Sequence, residues 1–317
     1  MGTPFISICI PTYQRTSLLK KLLDSVMEQS FRDFEVLVND NSPDDSVSKL
    51  VAEYAALLPI SYQKNEPAVN AAGNCIKVMR RANAPWIKLV HDDDWFAGRD
   101  ALEKFATAAK ESGKDFIFSA CNKVDLQTNE TEEENLSEVH AKMLGNSIHS
   151  LFYLNVIGHP SVVMHRNDPS IEYDANLHWV LDIDFYMRYL DKHKGYYYID
   201  ERLVNIGKGP TQESFKYYKN PLVEIPEYFT LLCKYPTSLP LENPFVFHLI
   251  WNMISRYKIK DTEQIRSLGY QGAMPLVIES IIACQKKIPR IILKQPPWSK
   301  KLMLRCYKNL KAQGLKR

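Results

Sequence analysis

Trp86-Ile87-Lys88-Leu89-Val90-His91-Asp92-Asp93-Asp94-Trp95 is the stretch on which the fold turns. A short apolar run that stops at polar residues reads as a buried strand, and here it stops at three consecutive carboxylates. The same pattern occurs twice upstream. Phe5-Ile6-Ser7-Ile8-Cys9-Ile10 is halted by Pro11 and followed by Thr12-Tyr13-Gln14-Arg15, and Phe34–Val38 runs into the polar turn Asn39–Asp45. Between them, Leu18, Leu19, Leu22, Leu23, Val26 and Met27 recur at helical spacing, with Thr16 or Ser17 as N-cap. A helix over about Ser46–Ala56, a weaker strand at Ile60–Gln63 and a helical face of Ala71, Ala72, Cys75, Ile76 and Met79 lead into the strand at Trp86. A helix over Leu102–Ala109 and a strand over Phe116–Ser119 follow. Such alternation predicts an α/β fold with a mainly parallel sheet covered by helices on both faces.

The chain has 317 residues, enough for one large domain or two. With 45% hydrophobic and 24% charged residues it excludes disordered, collagenous and coiled-coil classes. It has no apolar run of about 18 residues to span a membrane and no basic leader with a small-residue cleavage site before Phe5. Cys9, Cys75, Cys121, Cys233, Cys284 and Cys306 lack CxxC spacing, which fits reduced thiols in a cytoplasmic protein. Of 40 Lys and Arg, eleven fall within 285–317, where no Asp or Glu occurs. The other 29 stand against 37 acids, so residues 1–284 carry −8.

Beyond residue 125 the pattern is less regular. Gln127–Ser137 is polar and acidic and reads as a loop. A turn at Gly158-His159-Pro160, a strand around Val162–His165, a helix over about Trp179–Leu190 and a strand at Tyr196–Ile199 follow. From Pro221 the pattern is helical and broken by prolines at 226, 236, 240, 244, 275 and 289. The expected division is an α/β domain at 1–215, with halves at 1–125 and 126–215, and a helical region with a basic tail at 216–317.

In open α/β sheets, ligands bind at the carboxyl ends of strands. Three polar clusters fall there: Pro11–Arg15, Asp40 with its neighbours, and Asp92–Asp94. Three adjacent carboxylates repel, and an oxygen-preferring divalent cation would offset that cost. A cation with open positions takes phosphate oxygens, so the cluster points to a metal-held phosphate or diphosphate. The plain alternative is a solvated acidic turn that caps the next helix. No GxGxxG or GxxxxGK[ST] loop is present, and Gly207-Lys208-Gly209 is too short for either. Asp40 is placed either to accept hydrogen bonds from a base or ribose or to shape the turn before Ser42-Pro43.

Ile8–Arg15, Phe34–Ser42 and Ala84–Trp95 together, in this order and spacing, resemble the family 2 glycosyltransferases of GT-A fold. That resemblance covers about the first 125 residues. It implies transfer of a sugar from a nucleotide diphosphate sugar with inversion, using Mg2+ or Mn2+. Position by position it implies nucleotide contacts from Pro11, Thr12, Tyr13 and Arg15, a nucleobase contact from Asp40, and a site role for Asn74. It further implies metal binding by Asp94 with Asp92, and ribose or sugar contacts by Asp92 or Asp93. One departure is visible: the family's Asn-x-Gly segment after the third strand reads Asn65-Glu66-Pro67 here, without glycine.

Further along, Gly158–Ser161 resembles the family's turn near the donor sugar and acceptor, which brings in His159. His178–Asp184 resembles the acidic motif of the acceptor side, where the alignment puts the catalytic base at Asp182. Such a base is chemically required, because an acceptor hydroxyl is a poor nucleophile until its proton is removed. The other reading of Asp182 is a helix cap, and His159 and His178 are equally readable as packed side chains. Asp184 lies one helical step on, four residues before Arg188 and in reach of it. Lys208 falls where the family places a basic residue that meets the diphosphate, and a solvated lysine is the alternative.

In the tail, Ile291, Ile292, Leu293, Trp298, Leu302, Leu304 and Tyr307 alternate with Lys294, Lys300, Lys301, Arg305 and Lys308. This suits either an anionic membrane surface or a helix packed on the body with its charges in water. The acidic body argues against nucleic acid. The expected function is transfer, from a UDP-sugar first among donors, to a glycan or lipid-linked hydroxyl in bacterial surface polysaccharide synthesis, at the inner face of the cell membrane. The alternatives are a sugar nucleotidyltransferase and a catalytically silent sugar-nucleotide or glycan-binding protein.

Overall fold

β1 (Ile6–Thr12) is buried at all seven positions because helices cover both its faces. The structure, a computed structural model, describes residues 2–209, 212 and 214–313. After β1 the chain turns into α1 (Thr16–Met27), which buries Leu19, Leu22, Leu23 and Val26, one stripe at helical spacing. Its N-cap is Arg15 and makes no side-chain cap bond, so neither Thr16 nor Ser17 caps it. β2 (Phe34–Asp40) lies parallel to β1 with Thr12 opposite Asp40. α2 (Ser46–Tyr54) and β3 (Ile60–Lys64) extend the sheet outward. α3 (Ala71–Arg80), capped by the Asn70 side chain on the Gly73 amide, returns the chain across β1. β4 (Trp86–Leu89) then pairs parallel with the other edge of β1, with Leu89 opposite Cys9.

The strand order is therefore β3-β2-β1-β4, and the order reverses between β1 and β4. A crevice opens at the carboxyl ends of such a strand pair, because the loops leave it in opposite directions. Thr12–Arg15 and His91–Asp94 border that crevice.

The second half of the sheet is mixed. β5 (Trp95–Phe96), α4 (Ala101–Glu111), β6 (Phe116–Asp125), β7 (Thr131–Glu134), α5 (Glu138–Asn146), β8 (Val163–Arg166), α6 (Leu181–His193) and β9 (Tyr197–Lys208) follow in chain order. β8 runs antiparallel to both β4 and β6, β9 parallel to β6, and β5 antiparallel to β9. The expected loop at Gln127–Ser137 contains β7, a fully exposed strand paired with Cys121–Val124. Thr131-Glu132-Glu133-Glu134 has no apolar face to betray a strand; its acids pair with Lys123, Arg202 and Lys208.

The chain divides into two compact units, Met1–Gly145 with Val156–Gln212, and Asn146–Asn155 with Glu213–Arg317. The second unit thus takes a short segment from before residue 215, which a linear division does not anticipate. It holds α7 (Ser214–Tyr217), α8 (Pro221–Cys233), α9 (Leu239–Glu242), α10 (Pro244–Arg256), α11 (Thr262–Ser267), α12 (Leu276–Lys286), α13 (Arg290–Leu293) and α14 (Pro296–Gln313). Pro226 lies inside α8 and does not end it, whereas Pro244 opens α10. α14 packs within this unit: Ser299, Met303, Cys306 and Tyr307 are buried, the Trp251 indole donates to Ser299 Oγ at 3.0 Å, and the Tyr307 hydroxyl donates to the Leu241 carbonyl at 3.0 Å. The basic tail therefore has a packed face, and Ile291 and Trp298 remain exposed.

Candidate active site

The loop after β4 is held by its neighbours in space. The His91 amide donates to Ser161 Oγ at 2.9 Å, and the Asp94 amide donates back to the His91 carbonyl at 3.0 Å, closing a tight turn. Asp92 points inward and is fully buried. Its Oδ2 accepts from Thr12 Oγ1 at 2.7 Å and from the Tyr13 amide at 3.2 Å, and its Oδ1 from the Arg15 guanidinium. Asp93 Oδ2 accepts from the other Arg15 nitrogen at 2.7 Å. Asp94 Oδ1 accepts from the Gly207 amide at 3.0 Å. β9 passes so close that a β-carbon on Gly207 would lie 2.3 Å from the Asp93 carbonyl oxygen; only glycine fits there.

This geometry redistributes the expected roles. One ligand atom each from His91, Asp93 and Asp94 lies within 4.8 Å of the others. Asp92 is not in that group, since both its oxygens serve the β1 loop, and His91 takes its place. Burial pushes Asp92 up to about 6 against the pull of Arg15. Burial and the neighbouring Asp93 push Asp94 well above the carboxylate range, with the Ser161 and Gly207 bonds opposing. Burial holds His91 below its ordinary value, so its imidazole is neutral at pH 7 and able to ligate. Two carboxylates with remaining acceptor capacity and one neutral imidazole fit Mg2+ or Mn2+. Beneath them Lys88 is fully buried; its ammonium donates to the carbonyls of Ser161 and Val163, and burial lowers it to about 7 while Asp94 pulls it up.

The other crevice residues divide into exposed and structural. Pro11 and Thr12 are buried in β1, and the Tyr13 side chain is 54% exposed at the loop tip. Asp40 is fully buried, with Oδ1 accepting from the Ser42 amide at 2.7 Å and Oδ2 from the Tyr62 hydroxyl at 2.8 Å. It does not present an open carboxylate to a base. Asn74 is also internal: it donates to the Thr12 carbonyl at 3.2 Å and accepts from Asn65 at 2.7 Å. Asn65, which opens the segment where the resemblance expects Asn-x-Gly, is the hub that joins Asn39, Asn41 and Asn74.

Among the residues expected on the acceptor side, His159 is half-buried before the turn Pro160–Val162 and is held down to about 4, by burial first and then by His91 and Lys123. Asp182 lies in the first turn of α6, whose N-cap is Val180, so it does not cap the helix. Its half-buried carboxylate makes no hydrogen bond among the described residues, and burial pushes it up to about 7. Tyr186, one turn on, donates to the Gly158 carbonyl at 3.3 Å and ties this helix to the His159 turn. Asp184, expected on the acceptor side, is fully buried and accepts both Nε and Nη2 of Arg188, at 2.9 and 2.6 Å. Lys208, expected near a diphosphate, pairs with Glu132 at 2.9 Å. Pro210 and Thr211 of the same stretch lie outside the described residues, as do 314–317 of the tail.

Four residues of this site escape sequence reading: Lys88, His91, Ser161 and Gly207. Each sits inside a quoted stretch, and its signal is faint: a lysine in an apolar strand, a histidine beside the acids, a serine after a Gly-Pro turn, a glycine ending a strand.

The family model described as glycosyl transferase family 2 matches residues 7–168, and the chain belongs to that family. A Campylobacter jejuni protein named GalNAc(5)-diNAcBac-PP-undecaprenol beta-1,3-glucosyltransferase is 30% identical over 120 residues, 37% of this chain and 38% of that one. Abequosyltransferase RfbV of Salmonella typhimurium is 30% identical over 101 residues, 31% of this chain and 30% of that one. The chain spans less than two thirds of such relatives, 61% in the case of a 26%-identical Mycobacterium tuberculosis protein. Among solved structures, S. aureus TarS 1-349 in complex with UDP-GlcNAc superposes with a TM-score of 0.58 at 15% identity, covering 89% of this chain and 92% of that one. Mannosyltransferase PcManGT from Pyrobaculum calidifontis, in complex with GDP-Man and Mn2+, gives 0.55 at 14% identity over 100% and 89%. The fold is that of the GT-A glycosyltransferases.

Proposed function

We propose that this protein is a divalent-metal-dependent, inverting glycosyltransferase. It moves a sugar from a nucleotide diphosphate sugar, a UDP-sugar first among donors, to a hydroxyl of a glycan or lipid-linked acceptor in bacterial surface polysaccharide synthesis on the cytoplasmic side. The observation that carries this reading is the convergence of His91, Asp93 and Asp94 with Arg15 in the crevice between β1 and β4. Family membership, the UDP-GlcNAc and GDP-Man with Mn2+ of the structural neighbours, and the lipid-linked name of the Campylobacter relative support it.

His91, Asp93 and Asp94 would hold Mg2+ or Mn2+, which supplies charge neutralisation to the departing diphosphate. Thr12, Tyr13 and Arg15 border the nucleotide side. Asp182 accepts the acceptor hydroxyl's proton. The hydroxyl oxygen forms a bond to the anomeric carbon, the bond from that carbon to the phosphate oxygen breaks, and its electron pair leaves with the nucleoside diphosphate. Attack opposite the leaving group gives inversion. A carboxylate without hydrogen-bond partners among the described residues and lifted to about 7 suits this proton transfer at neutral pH.

The test is a thermal-shift and transfer screen of UDP-, GDP- and dTDP-sugars with Mn2+. One donor class is expected to raise the melting temperature only when Mn2+ is present. A protein stabilised by none of them would contradict the reading.

An anionic membrane surface is part of the same proposal. No helix among the described residues is long and apolar enough to cross a membrane. The exposed Ile291 and Trp298 stand beside exposed Lys294, Lys300 and Lys301, a pairing that suits interfacial insertion. Because α14 also packs inward, point variants are preferable to truncation. The variant Trp298→Ala with Lys300→Glu and Lys301→Glu is expected to lose about tenfold in binding to phosphatidylglycerol vesicles. Equal partitioning of variant and parent would refute it.

A further inference from the structure

The acids at the crevice already have a cation. Arg15 bridges two of them, with Nη1 on Asp93 Oδ2 at 2.7 Å and Nη2 on Asp92 Oδ1, and its side chain is 31% exposed. The two carboxylates depend on it unequally. Asp92 retains Thr12 Oγ1 and the Tyr13 amide without Arg15. For Asp93, Arg15 is the side-chain partner among the described residues, and Asp93 is also in the group able to hold a metal. Arg15 and a divalent ion therefore claim the same carboxylate, and two cations at one carboxylate repel. A diphosphate removes the conflict, since the planar guanidinium fork matches phosphate oxygens as well as it matches carboxylates.

We propose that Arg15 is an exchangeable counter-cation: it neutralises Asp92 and Asp93 while no metal is bound, and transfers to the donor's diphosphate when a divalent ion takes Asp93. This rests on the metal-dependent reading above and deepens it. Arg15 sets the order of events: it weakens binding of the metal alone and makes metal and diphosphate bind cooperatively. The coupling is reciprocal, so each ligand raises the other's affinity by the same factor. Its place as the first residue before α1, on a loop tied to Ser42 through the Gln14 amide at 2.7 Å, lets the side chain swing while the backbone stays fixed.

The experiment measures Mn2+ affinity by electron paramagnetic resonance, without and with UDP (or GDP, where the donor screen selects it), in the parent, Arg15→Gln and Arg15→Lys. Melting curves verify that each variant is folded. In Arg15→Gln, Mn2+ alone is expected to bind about tenfold more tightly, because a competing charge is gone. The nucleotide is expected to bind at least about tenfold more weakly in saturating Mn2+, because a diphosphate partner is gone. Arg15→Lys, which keeps the charge but not the fork, falls between. A purely structural Arg15 would weaken both ligands together, and that result, or unchanged Mn2+ affinity in Arg15→Gln, overturns the proposal. If the parent itself binds no Mn2+, the metal-dependent reading fails first, an outcome separate from the others. Should Arg15→Gln fail to fold, Arg15→Lys alone decides through the same opposed shifts.

Discussion

Replacement of Asp94 by alanine is expected to reduce sugar transfer by about 10³-fold or more, the scale on which a fixed charge acts at a developing anion. The expectation follows from position. Asp94 stands in the group that could hold the metal, and its Oδ1 is fixed by the Gly207 amide at 3.0 Å. The β9 backbone lies close against this turn, since a β-carbon on Gly207 would meet the Asp93 carbonyl oxygen at 2.3 Å. Asp94→Asn separates charge from shape: it retains an acceptor for Gly207 but loses the anion. Both variants are expected to stay folded and to lose the Mn2+-dependent part of donor binding, read by calorimetry with and without chelator. Near-parent turnover in either one would remove the metal role from Asp94.

Asp182→Asn is expected to lower turnover by about 10²–10⁴-fold while donor affinity changes less than about twofold, because the base acts on the acceptor. In the parent, turnover is expected to rise about tenfold per pH unit up to about 7 and then level, as the carboxyl ionises. The same substitution is expected to stabilise the fold. The carboxyl rises from 3.8 to about 7 on folding, so the folded chain prefers it protonated. That preference contributes fully below pH 3.8 and is lost as pH rises through 7. At pH 8 the ionised group would cost about 4 kcal/mol if wholly shielded. Asp182 keeps some solvent contact, so the expected gain for Asn is about 1–2 kcal/mol. Chemical denaturation at pH 5 and pH 8 reads it; a gain at pH 5 of about a third of that at pH 8 fits a carboxyl lifted from 3.8 to about 7. Full activity in Asp182→Asn would place the base elsewhere.

How far the fold was legible can be followed residue by residue. Three of the four parallel strands are readable because each ends at a polar cluster, and the weaker third strand is placed by the helical periodicity on either side of it. The crevice followed from that alone, since strand ends are where such sheets bind. What lay beyond reading is contact across long separations. Asp92 and Thr12 are 80 residues apart, and their hydrogen bond shows Asp92 supporting the β1 loop, apart from the His91, Asp93 and Asp94 group that could hold a metal. Asp40 reads from its polar turn as either a base contact or a turn residue, and its bonds from the Ser42 amide and, across to the next strand, the Tyr62 hydroxyl are what local sequence does not show. Asp184 was legible as an Arg188 partner at four residues' spacing, and burial then removes it from the acceptor side. β7 escaped because its pairing is backbone and charge, with no apolar alternation. The composition of α14 suits either a membrane surface or a packed helix, and its packed face shows only through contacts such as that of Trp251, 48 residues from Ser299.

The most direct measurement is anomalous diffraction at the manganese edge from crystals grown with Mn2+ and the donor selected by the screen. A single strong peak is expected within ligating distance of Asp94 and Asp93, with the diphosphate beside it and the Arg15 guanidinium on phosphate oxygens. Donor bound in the crevice with no metal peak at these carboxylates, or a peak elsewhere, would contradict it.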